Sequence, residues 1–212
     1  MKKTRIITAL LGIGALIGLL TVGAGAAQAV APNTTTTTAP MTLVSVTKVV
    51  NATPDGTGHI SVQLSNGKTI SILAQNKSLV LSFAAAHKAK SATVTPDADP
   101  VYGNCGYSYI YMNEKSNGDP VHMDTGFEVT DAAVEYAWHA AEAGFSGSGY
   151  DYDYHASGSL AFDYGWHGQH GSSANYPRGT YAGSVYSDGS SWALLDTGGV
   201  CYSGGPYESV YL

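Results

Sequence analysis

Cys105-Gly-Tyr-Ser-Tyr-Ile-Tyr-Met112 holds the first of the chain's two cysteines and a strict aromatic alternation. Side chains two apart in a strand share a face, so the stretch predicts a strand with Cys105, Tyr107, Tyr109 and Tyr111 on one side. Ser108, Ile110 and Met112 take the other. The second cysteine, Cys201, lies near the chain end, and a Cys105–Cys201 bridge would tie the first strand of a Tyr- and Gly-rich domain to its last. With Ile110 and Met112 turned inward, Tyr107, Tyr109 and Tyr111 become the candidate ligand-binding residues. Flat aromatic rings stack on the apolar C–H faces of sugars, in sites that carry few polar groups.

The chain start sets the compartment. Lys2, Lys3 and Arg5 precede an apolar run from Ile6 to about Val22, and Ala27-Gln28-Ala29 follows. A basic region, an apolar core and an A-x-A site predict a secretory signal peptide over 1–29, hence a secreted, extracellular protein with no membrane segment after its removal. In an oxidising compartment an even pair of cysteines outside any C-x-x-C reads as a disulfide. Residues 30–40, with five consecutive threonines between prolines, have no apolar face to bury and read as an extended linker.

Composition then changes at Pro96-Asp97-Ala98-Asp99-Pro100. All 15 tyrosines and all 3 tryptophans come after residue 99, and so do all but three of the 16 acidic residues, against Lys115 and Arg178 alone as cations. An acidic domain lacks the clustered Lys and Arg that phosphate contacts need, which excludes nucleic acid as a partner. The expected organisation is a small N-terminal unit over 41–99, β-rich or α+β, and a larger antiparallel β-sandwich over 100–212. At about 60 residues the first unit buries a modest core. It reads as an accessory region packed on the larger domain, the alternative being a pro-region removed after export.

Within the first unit, Ile60, Val62 and Leu64 alternate with polar residues before Ser65-Asn66-Gly67, and Ile70 and Ile72 follow. A two-residue turn would put the two apolar sets on opposite faces, which a buried face forbids. A three-residue loop pairs Val62 with Ile70 and Ile60 with Ile72 and leaves Gly67 left-handed. Ser78 to Lys90, Ala-rich and with a possible cap at Ser78, predicts a short helix.

In the second unit, Val121 to Thr130 reads as a strand. Asp131 to Ala143 satisfies both helix and strand patterns; its strand neighbours favour strand. Tyr150 to His155 and Ser159 to His167 predict a hairpin with loop Ala156-Ser157-Gly158, one face a continuous aromatic band belonging to the core. On the other face Asp151 would stand across from Asp163, a repulsion of up to about 1 kcal/mol. Asp151, Asp153 and Asp163 are therefore the candidate metal ligands, oxygen donors suited to Ca²⁺; no other cofactor is expected. Seven or eight short strands with Gly-rich turns complete the sandwich.

Other motifs carry less. His167-Gly168-Gln169-His170 lacks a helix and the four-ligand set of a zinc site. His122-Met123-Asp124 fits the solvent face of a strand, no serine sits in a G-x-S-x-G context, and Glu135 with Glu142 would need a cleft to act as a glycosidase pair. The expected function is thus a non-enzymatic binding or envelope-associated module with a cell-envelope polysaccharide or protein as partner. A secreted hydrolase using Asp, Glu and His, and a structural surface protein, are the alternatives.

Overall fold

The chain enters the fold through one continuous segment that serves two strands, β1 (Thr37–Pro40) and β2 (Thr42–Val44). The computed structural model describes residues 37–89, 103–115, 119–144, 149–171 and 177–211; the expected signal peptide and the 96–100 boundary fall outside them. The end of the expected linker is therefore an edge strand. β-Branched threonines favour extended backbone, and Pro40 sits at the strand's last position, where a missing N–H is tolerated.

Three strands follow, β3 (Val46–Asn51), β4 (His59–Leu64) and β5 (Thr69–Leu73), in a separate antiparallel sheet. The β4–β5 hairpin has the expected register, Val62 with Ile70 and Ile60 with Ile72, and Gly67 has φ 85°. A helix, α1 (Lys77–Ala89), comes next, where the short helix was expected. Val46, Ile60, Val62, Ile72 and Val80 are buried in one cluster with Trp192, Leu194, Val200 and Tyr202, so residues from both compositional stretches share a core.

The rest of the chain gives β6 (Gly106–Lys115), β7 (Asp119–Gly144), β8 (Asp151–Gly171), β9 (Thr180–Val185), β10 (Trp192–Leu195), β11 (Val200–Tyr202) and β12 (Tyr207–Tyr211). The mainly β, antiparallel architecture with one disulfide is as expected. Residues 131–143 are strand. The expectation of uniformly short strands fails, because β7 and β8 run 26 and 21 residues.

No hairpin forms at Ala156–Gly158. These residues pair with Trp138, Ala137 and Tyr136 of β7, and a side chain on Gly158 would meet the Tyr136 ring at 3.5 Å. The glycine sits within a paired strand, in ordinary contact with a cross-strand aromatic, and makes no turn. Asp151 accordingly pairs with Ala143 at the start of β8, and Asp163 with Ala133 near its middle. The β7–β8 ribbon instead bends midway, where the register shifts between Glu128 and Glu135 and Phe162 takes φ 60°.

The bend brings the two halves of the ribbon face to face. Phe127, Trp138 and Trp166 meet between them, with ring centroids 5.4 to 6.3 Å apart. Trp138 Nε1 donates to Thr125 Oγ1 at 2.9 Å, one polar bond across an apolar core. The aromatic band splits accordingly: Tyr150 is buried and Trp166 packs on the core, whereas Phe162 and Tyr164 are 66% and 61% exposed.

Strand order in the large sheet is β1-β6-β7-β10-β11-β2, with β8 and β9 also on β7 and β12 on β9. Since β1 and β2 are one segment, the path closes on itself. The Cys105–Cys201 disulfide clamps that closure. Cys201 pairs with Leu43, while Met41 N–H donates to Gly106 O at 2.8 Å next to Cys105. Cys105 precedes β6 and is 1% exposed, so it belongs to the core and not to the tyrosine face. Glu208 of β12 completes the barrel-like wall, its carboxylate accepting the Met112 N–H at 2.7 Å. Among the described residues, no helix is long and apolar enough to cross a membrane.

Candidate functional site

Ile110 and Met112 are fully buried, which by alternation turns Tyr107, Tyr109 and Tyr111 to the outer face of β6. Their register partners on β7 are Glu128, Gly126 and Asp124, and the next residues across, on β8, are Gly165, His167 and Gln169. The three tyrosines form a ladder, with centroids 6.3 Å apart from Tyr107 to Tyr109 and 5.3 Å from Tyr109 to Tyr111.

Tyr109 is the centre of this face because Gly126 opposes it. A Cβ at Gly126 would stand 2.8 Å from the Tyr109 hydroxyl and 2.1 Å from the Trp166 carbonyl oxygen. The bare backbone thus seats the phenol across β7. Burial, then the neighbouring Tyr111 and the carboxylates of Glu128 and Asp124, pushes the Tyr109 phenol up to about 12. It remains a neutral donor at any physiological pH. Tyr111 is 37% exposed at the outer end.

Two adjoining hollows run over this face, of about 330 and 450 Å³, sharing Tyr109, Glu128 and His167. Asp163, Tyr164 and Trp166 line the larger one, so Asp163 joins the groove rather than a metal site. Asp124 and Glu128 lie four residues apart on one strand face, about 13 Å. That is the spacing along the backbone, and both side chains line the smaller hollow.

Glu135 and Glu142 do not converge either, since they lie an odd number of residues apart on β7 and bury on opposite faces. Glu135 accepts Leu73 N–H at 2.9 Å and Asn76 Nδ2 at 2.7 Å, with His59 Nε2 at 3.8 Å. Glu142 accepts the Tyr150 hydroxyl and lies 3.0 Å from His170 Nδ1. Burial raises both carboxyls above their ordinary value, partly offset by these hydrogen bonds. Glu142 Oε1 and His122 Nδ1 are buried with no hydrogen-bond partner among the described residues.

A further cluster stands on the outer face of the other half of the ribbon. Asp153 Oδ1 is 2.5 Å from His139 Nε2, and Oδ2 is 3.0 Å from His155 Nε2. The two histidines, in that order, hold the Asp153 carboxyl below its ordinary value. Of the three expected metal ligands, Asp153 alone is in this cluster. Ser190 Oγ lies 3.2 Å from His139 Nδ1, completing a serine, histidine and aspartate row. The hydroxyl, however, donates to Asp188 Oδ1 at 2.6 Å, so its proton is directed away from the imidazole. That orientation supports the ring and does not make a nucleophile.

The histidines were missed because the hairpin register paired 150–155 with 160–164 and left β7 out. The signal was present: Asp151-x-Asp153-x-His155 puts three potential ligands on one strand face, needing only the correct partner strand to add His139. Comparison of the chain with protein-family models, with curated proteins and with solved structures finds no match in any of the three.

Proposed function

We propose that the protein is an exported, non-enzymatic binding domain whose tyrosine groove takes an extended polysaccharide of the cell envelope. The observation that carries this reading is the Tyr107–Tyr109–Tyr111 ladder on a solvent-facing strand, flanked by Asp124, Glu128 and Gln169. Aromatic rings at successive positions of a strand offer stacking faces along a line, at low entropic cost because each has few rotatable bonds. Carboxylate and amide groups alongside accept and donate hydrogen bonds to ring hydroxyls, which fixes orientation.

Export is supported by the signal-peptide pattern and agrees with the Cys105–Cys201 bridge, since structural disulfides persist in oxidising compartments. A binding role is favoured by the tyrosine ladder, which sets stacking faces along the groove. Retention on insoluble cell-wall polysaccharide tests the reading. Wild type should be depleted from solution, and a variant with Tyr107, Tyr109 and Tyr111 all changed to alanine should stay in solution with an unchanged circular dichroism spectrum. Equal depletion of both proteins would contradict it.

A further inference from the structure

On the outer face of the β7–β8 ribbon, His139 and His155 are direct register partners, in a stretch where pairing is unbroken from Glu135 to Ala143. Their rings stack with centroids 3.9 Å apart and an interplanar angle of 24°. Asp153 shares the face of His155 two residues away. One ligand atom from each of the three lies within 4.8 Å of the others. Paired strands hold such positions more tightly than loops do.

The second observation concerns the far nitrogen of His139. Ser190 Oγ donates to Asp188, which also accepts the Ser190 N–H at 2.9 Å, so the serine oxygen faces the ring as an acceptor. His139 Nδ1 then donates to the serine oxygen, and Nε2 faces Asp153. Tyr186 stacks on the same imidazole at 3.8 Å and 19°, fixing its plane. A histidine whose outer nitrogen is hydrogen-bonded is oriented for coordination through the inner one. The proton that Nε2 shares with the Asp153 oxygen 2.5 Å away sits where a metal ion would replace it, since metal binding releases ligand protons.

We propose that His139, Asp153 and His155 bind one divalent cation of the zinc class through two imidazole nitrogens and one carboxylate oxygen. Ca²⁺ is disfavoured, because it takes six to eight oxygen ligands, whereas imidazole nitrogens select borderline transition metals. Zinc bonds of about 2.0 to 2.1 Å in tetrahedral geometry separate neighbouring ligand atoms by about 3.3 Å. At present Asp153 meets His139 through Oδ1 at 2.5 Å and His155 through Oδ2 at 3.0 Å, both shorter than that value, so the side chains would part to admit the ion. Three protein ligands leave a fourth position open toward solvent, the composition of zinc sites that accept water or a substrate donor.

Isothermal titration of tag-free protein with zinc chloride tests the proposal. One ion should bind per chain, with calcium chloride giving no heat. His155→Ala and Asp153→Asn, both at solvent-exposed side chains, should weaken zinc binding at least tenfold without altering the circular dichroism spectrum. Ser190→Ala, which touches no ion, should weaken it by roughly 10- to 100-fold, as loss of outer-shell support does. Absence of binding at millimolar zinc would overturn the proposal. So would wild-type affinity in His155→Ala and Asp153→Asn, since the ion would then sit on the other histidines.

Discussion

The carboxylate of Glu142 and the phenol of Tyr150 are hydrogen-bonded to each other inside the ribbon, with Glu142 fully buried and Tyr150 5% exposed. A charge there has lost its water, and Tyr150, His170 and His122 partly offset that loss.

The first prediction concerns pH. Burial raises the folded Glu142 carboxyl above its unfolded value of 4.5, so the folded chain holds that proton more tightly. Its contribution to stability is full below 4.5 and is lost as pH rises through the folded value. Glu135 and Glu208 are raised by burial as well and add to the same slope. The melting temperature should therefore fall as pH rises above 4.5, and that of Glu142→Gln should fall less. Parallel curves for the two proteins, read by differential scanning calorimetry, would count against a buried acid at this site.

The second prediction concerns closure. The bridge joins residues 96 apart across the one place where β1 and β2 close the strand path. Replacing Cys105 and Cys201 together by alanine should cost about 2 to 5 kcal/mol, lowering the melting temperature by some 2 to 4 °C for each kcal/mol. A double variant that melts with wild type would mean that β1 and β2 hold the closure by hydrogen bonds alone.

A third prediction follows from the bend. Phe162 is a bulky residue at φ 60° and is 66% exposed, an unfavourable backbone that burial does not offset. Left-handed backbone costs a non-glycine residue roughly 1 to 2 kcal/mol. Phe162→Gly should keep or raise the melting temperature and leave polysaccharide retention unchanged, because Phe162 lines neither hollow of the groove. Loss of stability in this variant would show that the phenylalanine supports the bend by packing.

The groove was legible in the sequence and the histidine cluster was not, for one physical reason. A period-2 pattern reports which side chains share a face, and Tyr107, Tyr109 and Tyr111 needed nothing more. Strand partners are a different matter. The Ser65–Gly67 loop was readable because only one register buried Ile60, Val62, Ile70 and Ile72 together. Ala156-Ser157-Gly158 offered the same turn chemistry, yet there the three residues run on in β8, paired with Trp138, Ala137 and Tyr136 of β7. Glycine in a turn and glycine within a strand look alike until the partner strand is known. Asp151, Asp153 and Asp163 were grouped by the wrong partner, and His139 was left out for the same cause.

The reading of the groove stands or falls on single tyrosines. Tyr111 and Tyr211 are both exposed, at 37% and 68%, but only Tyr111 lines the groove. Depletion isotherms on insoluble cell-wall polysaccharide should show Tyr111→Ala binding about three- to tenfold more weakly than wild type, the loss of one stacking contact of roughly 1 kcal/mol. Tyr211→Ala should match wild type. Equal weakening in both variants, or none in Tyr111→Ala, would contradict the tyrosine groove as the binding site.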